Sequence, residues 1–257
     1  MTRRIHLNAD IGELPGQAGR NIDIAILKIV SQCNIACGGH AGDTDTMRAT
    51  VRSAKAAGVQ IGAHPSYPDR EGIGRRVMDI SINALEASLI EQIADLTAIA
   101  ENEDAVVTYV KPHGALYNEA VKHAELAECI ARATQKAGIP AVMSLPESEM
   151  RSAANAHGLQ YIPEAYADRA YQNDGQWVPR SMSGAVLTDA SACASQAESI
   201  ALLGQLTAMS GDTIECVAET ITLHRDTMGA VAIAAEIKHH LIDAGLKTGT
   251  SDQVLQP

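Results

Sequence analysis

Short apolar segments alternate with longer amphipathic segments along most of the chain. Glycine just past a helix end tolerates the left-handed conformation that closes the helix. Four candidate helices run into such a glycine, at Ala57-Gly58, Ala137-Gly138, His157-Gly158 and Ala244-Gly245. The pattern predicts strands at 5–11, 34–37, 59–63, 105–110, 141–145, 159–162 and 214–223, and helices at 45–57, 83–101, 124–137, 191–209 and 227–244.

This alternation is typical of an α/β fold with a mostly parallel sheet, closed or nearly closed as a barrel. No linker rich in proline or serine divides the chain, and we find no internal repeat, so residues 1–257 are predicted to form a single domain. Hydrophobic residues make up 46% of the chain, enough to bury a sizeable core. Because the chain contains no phenylalanine, aliphatic side chains and methionine must build most of that core.

Charge and cysteine content narrow the classes of partner and compartment. A net charge of −11 argues against a nucleic-acid partner, which would require a basic patch. The first ten residues lack the apolar run of a signal peptide, and the uncharged stretch 199–211 is shorter than the roughly 20 residues of a membrane span. Five cysteines without a Cys-x-x-Cys pair favour buried neutral thiols, including Cys33 and Cys37, over disulfides. We expect a cytoplasmic protein with no membrane or nucleic-acid partner.

Ionisable and amide side chains cluster directly after the predicted strands. In a parallel barrel the C-terminal ends of all strands open onto one rim, where the loops build the active site. We therefore predict a functional site on this rim, formed from Asp10, Glu13, Asn34, His40, Asp43, His64, Lys111, His113, Glu164, Asp168, His224 and Asp226. Asp43 and Asp226 have an alternative interpretation as helix N-caps, because each precedes a threonine at a predicted helix start.

Six long segments carry a more specific signal. They are LNADIGE (7–13), NIACGGHAGD (34–43), IGAHPSYPD with GIGRR (61–76), VKPHGALYN (110–118), EAYADRAYQNDGQWVPR (164–180) and LHRDTMGAV (223–231). In order and spacing they resemble the LamB/YcsF family, which supplies one component of prokaryotic 5-oxoprolinase, its A subunit. The resemblance covers nearly the whole chain. It implies an incomplete or distorted (β/α) barrel like that of the glycoside hydrolase/deacetylase superfamily.

The resemblance also implies an activity. It predicts ATP-dependent opening of 5-oxo-L-proline, or a related lactam, to L-glutamate in a complex with subunits B and C. The chain has no G-x-x-x-x-G-K-[ST] loop, and its glycine cluster at 38–42 is followed by Asp43, which would repel phosphate. ATP is therefore expected to be handled with the partner subunits.

Two departures from the family pattern bear on the substrate. Gly39 stands where the family has phenylalanine, and Arg225 stands in a His-Gly-Asp motif in place of glycine. Loss of an aromatic side chain beside His40 is expected to enlarge or reshape a pocket wall, and Arg225 adds a cation near the rim. The exact lactam is left open.

Lactam opening requires a base for water, an acid for the leaving nitrogen and donors for the developing oxyanion. We assign Asp10 as general base, His113 as the acid and Lys111 as the group that holds an oxyanion or phosphoryl group. His64 and His40 would orient or contact the substrate, and Arg169 and Arg180 either clamp its carboxylate or form surface salt bridges. Further predicted substrate contacts are Glu13, Asn34, Asp43, Tyr117, Asn118, Glu164 and His224.

Two other functions stay open at this point. His40, His64, His113 and Asp10 could form a zinc or manganese site for a metal-dependent amide hydrolase that acts alone, although the sequence has no H-E-x-x-H motif. Whether a metal binds is not decided by the sequence. A non-catalytic protein that binds small acids within a complex would use the same barrel mouth.

Overall fold

Strands and helices alternate through the chain as the pattern predicts. The structure, a computed structural model, describes residues 4–14, 16–223 and 229–248. Its strands are β1 (Arg4–Ile11), β2 (Gln32–Ala36), β3 (Gln60–His64), β4 (Val107–Val110), β5 (Ala141–Ser144), β6 (Gln160–Tyr166), β7 (Gln205–Thr207), β8 (Thr213–Glu215), β9 (Thr220–Leu223) and β10 (Lys247–Thr248). Its helices are α1 (Gly16–Leu27), α2 (Thr44–Ala57), α3 (Ile82–Asn102), α4 (Gly114–Ala120), α5 (Ala124–Lys136), α6 (Glu149–Ala156), α7 (Ala190–Leu203) and α8 (Ala230–Asp243).

Seven parallel strands close into a barrel within the described residues. The order is β1-β2-β3-β4-β5-β6-β9, and β9 pairs with β1 to complete the ring. At this junction Ala9 lies opposite Leu223, and on the other side of β1 Asp10 lies opposite Asn34 of β2. The short β10 extends the sheet at the N-terminal end of β1, and β7 and β8 form a separate antiparallel pair. The predicted incomplete or distorted (β/α) barrel is confirmed, as a closed ring of seven parallel strands.

Most predicted elements agree with the structure to within two residues, and the disagreements have local causes. The helix predicted at 191–209 ends at Leu203, because Gly204 adopts a left-handed conformation with φ of 65° and closes it. The strand predicted at 214–223 is divided into β8 and β9. Helices α1 and α4 were missed, since each opens with a glycine, which is a poor helix former.

The main apolar core lies between the barrel and its helices and is largely aliphatic. Inside the barrel, by contrast, the lower layer contains Tyr109, whose hydroxyl donates to the Cys33 carbonyl at 3.1 Å. Gly62 on the neighbouring strand makes room for this ring, because a Cβ there would collide with it. In the described part of the chain, no helix combines the length and apolar character needed to cross a membrane.

All five cysteines are buried and unpaired, as expected from the sequence. Burial raises the pKa of the Cys37 thiol to about 12, and a thiol reacts as its thiolate. We therefore expect no rapid reaction of the native protein with a disulfide reagent such as DTNB at pH 8, and release of five equivalents after unfolding in guanidinium. Rapid labelling of any cysteine before unfolding would contradict this arrangement.

Candidate active site at the barrel mouth

The upper part of the barrel interior is polar. Asn34 on β2 donates from Nδ2 both to Asn8 Oδ1 and to Asp10 Oδ1, each at 2.8 Å. The Thr222 hydroxyl on β9 lies within hydrogen-bond distance of two acceptors, Asn8 Oδ1 at 3.0 Å and the Glu164 carboxylate on β6. Side chains two residues apart on a strand share a face, so these residues form one connected layer beneath the mouth.

Lys111 forms the centre of this layer. Its Nζ lies 3.2 Å from Asp10 Oδ1 and 3.0 Å from Glu164 Oε2, although only 1% of the side chain is exposed. Burial alone would lower the pKa of Lys111, but the Asp10 and Glu164 carboxylates outweigh burial and hold the pKa well above its ordinary value. Lys111 is thus a buried ammonium ion between two carboxylates, and its ion pair with Asp10 reaches the mouth.

A cavity of about 460 Å³ opens above this layer. Such a volume lies in the usual range of small-molecule sites. Its lining comprises Asp10, Glu13, His64, Arg75, Lys111, Pro112, His113, Gly114, Ala115, Tyr117, Asn118, Val121, Lys122, Leu145, Tyr166, Arg169, Gln176, Trp177, Val178, Pro179 and Arg180. The cavity is therefore the prime candidate for the active site.

Three histidines gather around Glu13 on one side of the cavity. Glu13 Oε1 lies 3.1 Å from His40 Nε2, 3.3 Å from His113 Nδ1 and 3.8 Å from His64 Nε2. His64 Nε2 and His113 Nδ1 are 3.0 Å apart. We call Glu13, His40, His64 and His113 the histidine cluster.

The pKa values of the residues in the histidine cluster are shifted in different directions. Burial tends to raise the pKa of Glu13, but the hydrogen bond from His40 and the other histidines lower it to about 2. Burial and the neighbouring imidazoles lower the pKa of His113 to about 3. For His64 the opposite holds, because Asp10 and Glu13 outweigh the effect of burial and raise its pKa. At neutral pH Glu13 is a carboxylate and His113 is a neutral imidazole.

The opposite wall is aromatic and cationic. Trp177 stacks on Tyr117 with ring centroids 5.2 Å apart and meets Tyr166 edge-on at 4.6 Å. Arg169 lies over Trp177, but its guanidinium donates to the carbonyls of Ala185 at 3.2 Å and Val178 at 2.7 Å. Arg169 thus holds the wall in shape.

The structure brings most of the predicted site residues to the cavity. Nine of them line it, namely Asp10, Glu13, His64, Lys111, His113, Tyr117, Asn118, Arg169 and Arg180. Asn34, His40 and Glu164 lie directly behind the lining residues and bond to them. His224 lies outside the described residues, as do Arg225 and Asp226.

At three positions the contacts in the structure differ from what the sequence predicts. Asp43 does not line the cavity, because its carboxylate accepts from Thr46 N at 2.8 Å and caps α2. His113 is not placed as a proton donor, since its Nε2–H is directed at the Ile73 carbonyl, 3.0 Å away. The space beside Gly39 is not an enlarged pocket, because the side chains of Gln92 and Ser66 fill it.

Sequence reasoning did not select several residues of the cavity. Arg75, Tyr166 and Trp177 lie within the matched motifs, but a position inside a motif does not by itself indicate that a side chain faces the cavity. The polar layer had a detectable signal, since Asn8 and Asp10, like Thr220 and Thr222, are two apart on a strand and must share a face.

Known proteins similar to this chain agree with its fold and its motifs. A profile of the LamB/YcsF family matches residues 5–256. The chain is 44% identical to the 5-oxoprolinase A subunit from Chloroflexus aggregans, over 96% of this chain and 98% of that protein. It is 42% identical to the corresponding 5-oxoprolinase A subunit from Streptomyces coelicolor, over 95% of this chain and 98% of that protein.

Solved structures of other proteins share the fold of this chain. The chain is 36% identical to a lactam utilization protein from Thermus thermophilus, with a TM-score of 0.88, over 96% of this chain and 100% of that one. An uncharacterized protein from Agrobacterium tumefaciens shares the fold at 14% identity, with a TM-score of 0.60 over 96% of this chain and 86% of that one. The chain belongs to the LamB/YcsF family.

Proposed function

We propose that this protein is the A subunit of an ATP-dependent 5-oxoprolinase and opens the lactam ring of 5-oxo-L-proline, or a close relative, to L-glutamate. The observation that carries the proposal is the cavity floor, where the Asp10 carboxylate and the Lys111 ammonium meet at 3.2 Å below a rim that contains Arg75 and Arg180. A cyclic amide that bears a carboxylate needs a base, an oxyanion donor and an anion-binding group. The names of the curated relatives support the same activity.

Asp10 is the proposed general base. Asn34 and Lys111 both donate to its Oδ1, which fixes the orientation of the carboxylate. Its other oxygen, Oδ2, lies 3.5 Å from His64 Nε2 on the cavity side. In the proposed step Asp10 takes a proton from water as the water oxygen bonds to the lactam carbonyl carbon. The ring C–N bond then breaks, and Asp10 passes that proton to the leaving nitrogen, which returns Asp10 to its carboxylate form.

Lys111 is the proposed partner of the carbonyl oxygen. Its charge is fixed by two carboxylates, so it can stabilise an oxyanion or a phosphorylated carbonyl without titrating near neutral pH. Arg180 and Arg75, both exposed at the rim, are the proposed contacts for the substrate carboxylate or for phosphate. Arg169 supports this wall through its bonds to backbone carbonyls.

ATP and the partner subunits belong to the same proposal. Phosphorylation of the lactam oxygen would convert a poor electrophile into a better one, and the chain has no phosphate-binding loop of its own. We therefore assign ATP handling to a complex with subunits B and C. Free thiols at all five cysteines fit a reducing compartment, the cytoplasm.

The test is glutamate formation from 5-oxoproline and ATP by this chain with its candidate B and C subunits. We expect glutamate only when all three chains are present, and ATP hydrolysis without glutamate when this chain is omitted. Glutamate formed equally well without this chain would overturn the proposal. Failure of the complete set to open 5-oxoproline or closely related lactams, in the presence of ATP and divalent cations, would also overturn it.

A metal-dependent amide hydrolase is the second candidate function, because the histidine cluster resembles a metal-binding set. This function predicts hydrolysis of small amides by the isolated chain without ATP. Amide hydrolysis that requires a divalent metal but neither ATP nor a partner would favour it over the first proposal.

A further inference from the structure

The histidine cluster contains groups that the proposed acid–base chemistry does not use. One potential ligand atom from each of Glu13, His40, His64 and His113 lies within 4.8 Å of the others. The three histidines are almost completely buried, whereas Glu13 reaches the cavity. Whether imidazole and carboxylate groups at this spacing can bind a metal ion depends on which nitrogens carry protons and which carry lone pairs.

Backbone carbonyls determine which nitrogens are protonated. His64 Nδ1 lies 2.7 Å from the Lys111 carbonyl, which can only accept, so Nδ1 carries the hydrogen and neutral His64 has its lone pair at Nε2. His113 Nε2 lies 3.0 Å from the Ile73 carbonyl, so neutral His113 has its lone pair at Nδ1. Histidine ligands of metals commonly donate their second N–H to a carbonyl in this manner.

When both imidazoles are neutral, as in a metal-bound form, the two lone pairs face each other across 3.0 Å, with Glu13 Oε1 next to both. Three acceptors that converge on one point require a cation between them. A proton can bond to two of the three, whereas a metal ion can bond to all. Ligand atoms of a tetrahedral site are about 3.3–3.6 Å apart when metal–ligand bonds are about 2.0–2.2 Å. The observed separations are 3.0 Å between His64 Nε2 and His113 Nδ1, 3.3 Å between His113 Nδ1 and Glu13 Oε1, and 3.8 Å between His64 Nε2 and Glu13 Oε1. These three distances bracket the tetrahedral range.

His40 does not fit as a fourth ligand. Its ring is stacked on His113, with centroids 3.7 Å apart and an angle of 5° between the planes. Imidazole lone pairs lie in the ring plane, so one ion cannot lie in both parallel planes. His64 and His113 are nearly perpendicular at 83° and have no such conflict. His40 instead contacts Glu13 through Nε2 at 3.1 Å, as a group that orients a ligand.

The loop before α3 holds His113 in this orientation. Ile73 has a φ of 54°, a conformation that is a genuine outlier for a β-branched residue. Its carbonyl accepts from His113, and a Cβ on the following Gly74 would approach both His113 and His40 to 2.9 Å. Strained backbone persists where the surrounding structure over-determines it, often at functional sites. This loop is tightly packed against His113 and His40, and its Ile73 carbonyl sets the tautomer of His113.

We infer that Glu13, His64 and His113 form a binding site for a divalent transition-metal ion of the zinc type, with His40 as an orienting residue. Two imidazoles and one carboxylate are a ligand set that suits zinc, and three protein ligands leave a further position open. All three ligands line the cavity, so the open position faces it. A bound ion would supply Lewis acidity toward a carbonyl or water there. This inference does not rest on the proposed function.

The test is metal binding by the isolated full-length chain, purified without a histidine tag and stripped with a chelator. Zn²⁺ is titrated calorimetrically and Co²⁺ by visible absorption, in the absence of lactam, ATP and partners. We expect one equivalent of either ion and an intense visible band for bound Co²⁺. Less than about a tenth of an equivalent of bound Zn²⁺ in the wild-type protein would overturn the inference without recourse to any variant.

Variants then identify the ligands. Glu13→Gln, His64→Gln and His113→Gln are each expected to weaken Zn²⁺ binding by more than about 100-fold, and His40→Gln by about 10–100-fold. His157→Gln is the matched control, because His157 pairs with Glu128 at 2.7 Å and does not line the cavity. Circular dichroism of the metal-free variants confirms their folding. Wild-type affinity in folded His64→Gln and His113→Gln proteins would assign the metal to other residues.

Discussion

Replacing Asp10 with asparagine is expected to lower the turnover number of lactam opening by about 10²–10⁴-fold, the contribution typical of a positioned general base. Asparagine has nearly the same shape and retains an oxygen that can accept from Asn34 Nδ2 and Lys111 Nζ. The change removes the charge and the basicity with little effect on packing. The measurement is the steady-state rate of glutamate formation by the complete set of subunits, with kcat and KM determined separately.

Asp43→Asn provides the control for this experiment. Asp43 caps α2 by accepting from Thr46 N, and asparagine is about as good an N-cap as aspartate. The control therefore removes one carboxylate from a neighbouring loop and should leave both kcat and stability near wild-type values. A folded Asp10→Asn protein with wild-type kcat would show that Asp10 is not the base.

The second large effect concerns stability. Lys111→Met is expected to lower the free energy of unfolding by about 3–5 kcal/mol, because removing one partner from a buried ion pair leaves the other charge uncompensated. The uncompensated groups are Glu164, which is completely buried, and Asp10, which keeps its bond from Asn34. The measurement is urea unfolding of the isolated chain, followed by circular dichroism.

Two further variants separate charge from packing. Lys122→Met, at an exposed position on the cavity edge, is expected to change the unfolding free energy by less than about 0.5 kcal/mol. The double variant Lys111→Met/Glu164→Gln should be more stable than Lys111→Met alone, since it removes the buried carboxylate that lost its partner. Equal stability of Lys111→Met and the wild-type protein would mean that the buried ion pair contributes nothing net.

The barrel could be predicted from the sequence because its elements obey local rules. The periodicity of α2, α3 and α5 and the glycines that end helices are properties of short segments. The number of strands in the closed ring is not a property of any short segment, because it depends on which strands pair. The closing contact joins Ala9 to Leu223, and no local pattern specifies that register. Helix α1, which opens with glycine and contains a second one, shows how packing against the barrel overrides weak helix propensity.

The location of the site was predictable, whereas the roles within it were not. Because the ends of parallel strands must share a rim, Asp10, His64 and Lys111 are expected at one cavity, and all three line it. Which group donates a proton depends on hydrogen-bond partners that only the folded chain provides. His113 illustrates this, since a carbonyl from a loop 40 residues earlier fixes its tautomer. Gln92, a helix residue, likewise fills the space beside Gly39, and no motif indicated it.

The polar layer inside the barrel joins the first strand of the ring, β1, to its last strand, β9, directly beneath the cavity. Asn8 on β1 bonds to Thr220 and Thr222 on β9, residues more than 200 positions away, and Thr222 in turn bonds to Glu164, the partner of Lys111. Contacts between such distant segments form only after the intervening loop-closure entropy has been overcome. A chain that ends before β9 therefore lacks both the strand that closes the ring and the Thr222 contact to Glu164, so the layer that supports the cavity floor is completed only by the last strand of the barrel.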